Sequence, residues 1–255
     1  MSKFITHVHT IYSTDGWNNP DCIRRYAENK DVFVELLTHN SLLWTRLYPE
    51  VFKSEHIIPA VEFGFKNTDV IAAGKNLDEL IKDKRFPIFD HKVGRWLNIS
   101  LDEGIEILRE KGAEYIYFPH PTAPVAGAVK NGYEHLIKKV DGVEVWNGSI
   151  SLFPPYNMSA LNLAEKYNKT KFAGIDGHLG TISLKSCYNL TEAQSKDEIY
   201  EAVRKNRLEP HKNPFYPILL AKDYGVLAFL TLRGLLDKNS EVNPSNSLSL
   251  TEQLY

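Results

Sequence analysis

The sequence predicts an α/β protein whose mainly parallel strands close, or nearly close, into a barrel. Three observations lead there. Short apolar, β-rich runs alternate with segments of helical periodicity along the 255-residue chain. Most of these runs end in a histidine or an acid. Such ends, far apart in sequence, meet in one pocket only when strands converge on one face of a barrel.

Taken in order, residues 4–6 form the first strand, which leads into His7-Val8-His9 and then Asp15. Residues i and i+2 of a strand share a face, so His7 and His9 project together. Asn19-Pro20 offers a cap and a first-turn proline to a helix whose Cys22, Ile23, Tyr26 and Ala27 share one face. Residues 32–37 form a second buried strand, apolar except at Glu35, that ends in Thr38-His39-Asn40. Residues 57–61 form the third strand and end in Glu62, and residues 69–73 form the fourth, closed by Gly74. A short helix is expected over 77–81, followed by an irregular stretch over 84–98.

Ser100 and Glu103 have capping-box spacing, and Leu101, Ile105 and Leu108 share a face, so a helix runs from Ser100 to a C-terminal Gly112. Strands follow at 114–118, ending in Pro119-His120-Pro121, and at 142–146, ending in Asn147-Gly148. A helix over 157–167 is expected to turn Met158, Leu161 and Ala164 inward. Residues 171–173 form a strand ahead of Gly174-Ile175-Asp176-Gly177-His178, and 187–190 form the last strand. A second capping box, Ser195 with Glu198, opens a helix over 195–206 with Ile199, Ala202 and Val203 on one face.

Composition narrows the class. With 43% hydrophobic and 24% charged residues the chain is an ordinary globular one, long enough for a sizeable core. A net charge of −2 gives no general drive toward nucleic acid or anionic membrane. Cys22 and Cys187 are far apart and fit no zinc signature. Nothing after Met1-Ser2-Lys3 resembles a secretory h-region, and no apolar stretch reaches the roughly 18 residues of a membrane span. The expectation is a cytoplasmic protein with reduced thiols.

His7, His9, His39, Glu62, His120, Asp176 and His178 all follow strand-like runs, which makes them candidate metal ligands. In this order and spacing the segments resemble the PHP (polymerase and histidinol phosphatase) superfamily of metal-dependent phosphoesterases. The motifs are HVHTIYSTDG with His7, His9 and Asp15; Thr38-His39-Asn40; Pro59-Ala60-Val61-Glu62; Phe118-Pro119-His120-Pro121; and, after the segment from Asp141 to Asn147, Gly174-Ile175-Asp176-Gly177-His178. The resemblance spans about residues 3–207. Thr38 stands where the family pattern has an acid, and Asp69 where many members carry a histidine.

The resemblance implies a distorted (β/α)7 TIM-like barrel over residues 1–210; beyond the motifs, the composition itself reads as an apolar helical extension over 211–237 and a flexible tail over 238–255. It implies two or three divalent ions, Mn, Fe or Zn, which suit imidazole and carboxylate donors. His7, His9, Glu62 and Asp176 would hold one ion. Glu62, His120 and Asp69 would hold a second, and Asp15, His39 and His178 a third. The implied activity is hydrolysis of a small phosphomonoester, or of a nucleotide or oligonucleotide end, by hydroxide generated at the metals. A hydrolase of the amidohydrolase type and a degenerate metal-binding module with a regulatory or interaction role are the alternatives. The apolar segment 214–236 is expected to pack on the barrel or on a second copy of the chain. Trp17 and Trp44 can line the pocket mouth or pack, and Asn147 can orient substrate or close a turn. His91 reads as a surface or lid histidine. Arg95 and Trp96 can clamp a phosphate and stack a ring, or anchor a loop.

Overall fold

The computed structural model describes residues 1–13, 16–66, 68–77, 99–124, 127–149, 154–178 and 184–213. Asp15, the stretch 84–98 with His91, Arg95 and Trp96, and the segment 214–236 lie outside the described residues.

Strands β1 (Ser2–His9), β2 (Phe33–Leu37), β3 (Ile57–Phe65), β4 (Thr68–Ala73), β5 (Tyr115–Phe118), β6 (Gly142–Asn147) and β7 (Thr170–Gly177) follow one another around a sheet in chain order. β1 bonds β2 on one side and β7 on the other, which closes a seven-stranded barrel. Every pair in the ring is parallel except those of β4, which runs antiparallel to both β3 and β5. The first half of β1 also bonds β8 (Cys187–Thr191), and β9 (Glu209–Lys212) pairs with β8, so an antiparallel hairpin extends the sheet beside the barrel.

The helices form where caps and faces coincide. α1 (Pro20–Lys30) starts at Asn19, whose side chain accepts from the backbone N–H groups of Asp21 and Cys22. The hydroxyls of Ser100 and Ser195 likewise accept from Glu103 N and Glu198 N, which opens α4 (Leu101–Glu110) and α6 (Lys196–Arg204). Each such cap is worth about 1 kcal/mol. Between β2 and β3 lie two short helices, α2 (Leu43–Leu47) and α3 (Pro49–Lys53). α5 (Pro154–Lys166) follows β6.

Three apolar clusters divide along the strand alternation. Ile58, Ala60, Ile71, Ala73, Tyr115, Tyr117 and Phe172 fill the barrel interior, where Ile199, Tyr200 and Val203 of α6 join them. Val61, Phe63, Val70, Ile116 and Val143 face outward onto α4 and α5. Ile5, Val8, Val34 and Leu36 face outward onto α1 and α3.

Several expectations are corrected. β3 is longer than the run that ends at Val61, so Glu62 sits within a strand. The cause is the β3–β4 hairpin, whose ladder continues to Phe65↔Thr68. β7 likewise runs on through Asp176 to Gly177. Met158 is 58% exposed, because α5 buries the stripe Asn157, Ala160 and Ala164. Of the two readings open for Trp44 the structure shows packing: it is fully buried in the cluster beside α1 and α3. β9, with the sequence Glu-Pro-His-Lys, has no apolar pattern to betray it and is held by its ladder to β8. Among the described residues no helix is long and apolar enough to cross a membrane.

Candidate metal centre

His7 and His9 reach the barrel interior through a fault in β1. The β1–β2 register runs Ile5↔Val34 and then Val8↔Leu36, so β1 carries one extra residue between them. His7 takes that place with φ 63°, in the left-handed region. Such a conformation costs a non-glycine residue about 1–2 kcal/mol and signals a bulge that re-aims side chains. Without it, strict alternation would put Ile5, His7 and His9 on one face, and Ile5 packs outward. The bulge moves Val8 to the outer face with Ile5 and turns both imidazoles inward. A matching extra residue lies in β7 between Gly174 and Gly177, with Asp176 at φ 53°.

The other strands bring their donors by register. The end of β2 is laced to β3 by Glu62 N donating to Thr38 O and Asn40 N donating to Glu62 O, which sets His39 beside Glu62. In the β3–β4 hairpin Glu62 faces Ile71 and Gly64 faces Asp69, so Glu62 and Asp69 lie on the same side of the sheet. His120 follows β5, between two prolines.

Four imidazole Nε2 atoms converge on the Glu62 carboxylate. They come from His39 at 3.1 Å, His9 at 3.2 Å, and His7 and His120 at 3.5 Å. Asp176 Oδ1 stands 3.5 Å from both His7 Nε2 and His9 Nε2, and 3.6 Å from His178 Nδ1. Donor atoms of four residue sets gather closely enough to hold an ion: His7, His9 and Glu62; His7, His120 and Asp176; His9, Asp176 and His178; and Glu62, Asp69 and His120. The structure thus brings His7, His9, His39, Glu62, Asp69, His120, Asp176 and His178 together. His7, His9 and Glu62 form a buried floor, whereas the side chains of His39 and His178 are 26% and 25% exposed at its rim.

A second layer fixes the ring orientations. Glu144 Oε1 lies 2.9 Å from His7 Nδ1, so Nε2 is the nitrogen left for the centre. Glu144 Oε2 accepts from His120 N at 2.7 Å and from Asn147 Nδ2 at 2.8 Å. The same Asn147 amide donates to Asp176 Oδ2 at 3.2 Å, which leaves Oδ1 facing the histidines. Ser13 Oγ is 3.0 Å from His9 Nδ1 and also accepts from His39 N. The Asn18 amide donates to His9 O and Gly177 O and so ties the ends of β1 and β7 together. Thr38 stays out of this set, because its hydroxyl donates to Ser41 O.

The charges call for cations. Among the described residues, no lysine or arginine pairs with Glu62, Asp176 or Glu144, and their contacts are with histidines and amides. Burial alone would depress His7, but the carboxylates of Asp176, Glu144 and Glu62 overcome it and raise it well above its ordinary value. Burial also opposes charge on His120, yet Glu62, then Asp176 and Asp69, raise it to about 9. Burial and the charges of His178 and His39 hold His9 neutral, down to about 3. Burial and the neighbouring Glu62 push Asp69 up to about 7. His7 Nε2, Glu62 Oε2 and His120 Nδ1 are buried without a hydrogen-bond partner. Buried atoms of this kind need a partner. Divalent ions bound by imidazole and carboxylate fit this donor set.

Protons and ions then compete. A ligand must lose its proton to bind metal, so affinity rises with pH as Asp69 and His120 deprotonate through about 7 and about 9. We expect Mn²⁺ affinity to climb by about tenfold per unit of pH for each proton displaced. Titrations at several pH values, read calorimetrically in buffers of different ionisation enthalpy, measure the slope. A flat profile contradicts the expectation.

No protein-family model and no curated protein matches the sequence. Among solved structures, a protein of Bifidobacterium adolescentis described as a metal-dependent phosphoesterase is similar at a TM-score of 0.53 and 14% identity, over 81% of this chain and 96% of that one. An amidohydrolase of Chromobacterium violaceum, solved with sulfate and no metal, is similar at a TM-score of 0.52 and 13% identity, over 82% of this chain and 97% of that one. The chain shares their fold. It is the barrel that the PHP-type resemblance implies.

Sequence reasoning passed over Glu144, Ser13 and Asn18 as members of the site. Glu144 had a signal: an acid at the centre of Gly-Val-Glu-Val-Trp-Asn, an otherwise apolar strand, has to be paired inside the fold. Ser13 and Asn18 act from the β1–α1 loop, where polar residues are unremarkable in sequence.

Proposed function

We propose that the chain is a metal-dependent phosphoesterase that hydrolyses a small phosphomonoester or a nucleotide or oligonucleotide end. The observation that carries this reading is the convergence of four imidazoles on the one buried Glu62 carboxylate, with Asp176 beside them. His7, His9, Glu62 and Asp176 would hold one ion, Glu62, Asp69 and His120 a second, and His39 and His178 a third with Asp15. Bound there, divalent ions supply Lewis acidity toward phosphoryl oxygens and lower the pKa of water.

The chain's own residues do the rest. Glu62 lies where two ions can share one carboxylate. Glu144 and Ser13 keep the His7 and His9 rings turned with Nε2 toward the centre. The buried floor excludes water from below. A pocket histidine that no ion engages, or a water, would pass a proton to the departing alcohol. The near-neutral chain favours a compact substrate over an extended nucleic acid.

Fold likeness to an amidohydrolase supports a second reading, hydrolysis of an amide or a ring. Glu62 and Asp176 each belong to two of the donor sets. Among the described residues no lysine pairs with either carboxylate, where a bridging modified lysine would favour the amide; this supports the phosphate ester. The deciding experiment sets metal-loaded protein against nucleoside bisphosphates, histidinol phosphate, short oligonucleotides, N-acyl amino acids and lactams. Chelator-sensitive release of phosphate or mononucleotide is expected. Turnover of amides or lactams with no phosphate ester cleaved overturns the proposal.

A further inference from the structure

We propose that Glu35, which lies below the metal centre and outside its ligand set, is a positioning residue. Through the His7 backbone N–H it holds the left-handed bulge that aims both His7 and His9 at the ions. The inference rests on the metal-dependent reading above.

Glu35 is the charged residue in the apolar strand β2 and is fully buried. The β1–β2 ladder breaks between Ile5 and Val8, opposite Glu35. There the His7 N–H donates to Glu35 Oε2 at 2.9 Å. Glu35 therefore supplies the acceptor for the residue that leaves the ladder, and an apolar side chain in its place would strand a buried donor.

The carboxylate is itself held at this height. Tyr115 OH donates to its Oε1 and Tyr117 OH to its Oε2, each at 2.6 Å. Both phenols are locked by packing, Tyr117 stacked on Phe172 with centroids 4.2 Å apart and Tyr115 against Tyr200 at 6.0 Å. Three donors meet one acceptor-only group, which leaves the network complete. Among the described residues, its hydrogen bond to the metal centre is the one from the His7 N–H. A core that needed only stability would be served by apolar residues at these positions, since burying a charge is costly even when it is paired.

The test uses Co²⁺ as ion and spectroscopic probe. The variant Glu35→Met/Tyr115→Phe/Tyr117→Phe removes the acceptor together with both phenolic donors, so that only the His7 N–H is left unpaired. In folded protein, shown by circular dichroism and a cooperative melt, Co²⁺ binding should weaken by about 10- to 100-fold, the scale of lost outer-shell support, and the visible Co²⁺ bands should shift. Glu35→Gln keeps an acceptor for His7 and lets Tyr115 rotate its hydroxyl to accept, so it should restore the wild-type spectrum and affinity. Glu35→Asp keeps the charge but withdraws the carboxylate by one methylene, and should shift the bands even if the triple variant does not fold. Wild-type affinity and bands in the folded triple or Asp variant overturn the inference, as does a loss in Glu35→Gln equal to that of the triple variant. Failure of the wild-type protein to bind Co²⁺ would instead count against the metal-dependent reading.

Discussion

Glu62→Gln is expected to remove at least one bound ion per chain and to lower phosphate-ester turnover by about a hundredfold or more. The substitution keeps the shape of the side chain and removes its charge. Histidine nitrogens lie 3.1, 3.2, 3.5 and 3.5 Å from that carboxylate, so among the described residues no other single group touches as much of the centre. An amide cannot bridge two cations as a carboxylate does, and the transition-state charge stabilisation at stake is several kcal/mol, each ~1.4 kcal/mol being tenfold in rate. The uncharged side chain also removes a main source of the raised basicity of His120. Metal analysis and steady-state kinetics on the same preparation check both halves. Full metal content with unchanged turnover would place the chemistry elsewhere.

Gly174→Ala should produce a similar loss of metal affinity without touching a ligand. A methyl group there would collide with the Glu144 carboxylate and stand 3.1 Å from His7 Cβ. Glu144 cannot move away cheaply, because it is buried and bonded to His7, His120 and Asn147. We expect destabilisation of about 1–3 kcal/mol from overpacking. Displacement of Glu144 from His7 Nδ1 should add a roughly 10- to 100-fold loss of metal affinity. Thermal melts with and without added Mn²⁺ separate the two. A variant that melts lower yet gains the wild-type increment on metal addition would show that Glu144 does not support the site.

Much of the site was legible because its chemistry falls at the ends of strands. His7 and His9, His39, His120 and His178 follow apolar runs, and a barrel brings such ends together whatever their distance in sequence. The geometry that gathers the cluster was less legible. The sequence pattern places His7 and His9 on the same side but does not say which side, since that depends on the left-handed residue at His7. A histidine in that conformation leaves no compositional trace of the kind a glycine would. Glu62 looked like a strand-end residue because the apolar run pauses there, whereas the hairpin to β4 carries the strand past it. Glu35 and Glu144 were visible as lone acids in apolar strands. Their partners, the His7 N–H and Nδ1, depend on tertiary register that no local pattern encodes. Met158 was misplaced for the ordinary reason that a helical period fits more than one stripe, and the small residues Ala160 and Ala164 made the buried one.

The central claim is that this cluster is a multi-metal floor. Its most direct test is the metal content of purified protein loaded with Mn²⁺, Fe²⁺ or Zn²⁺ and then freed of unbound ions, measured by plasma mass spectrometry. Two or three ions per chain are predicted, falling in the Glu62→Gln protein. One ion or none, in folded protein under every loading condition, would contradict it.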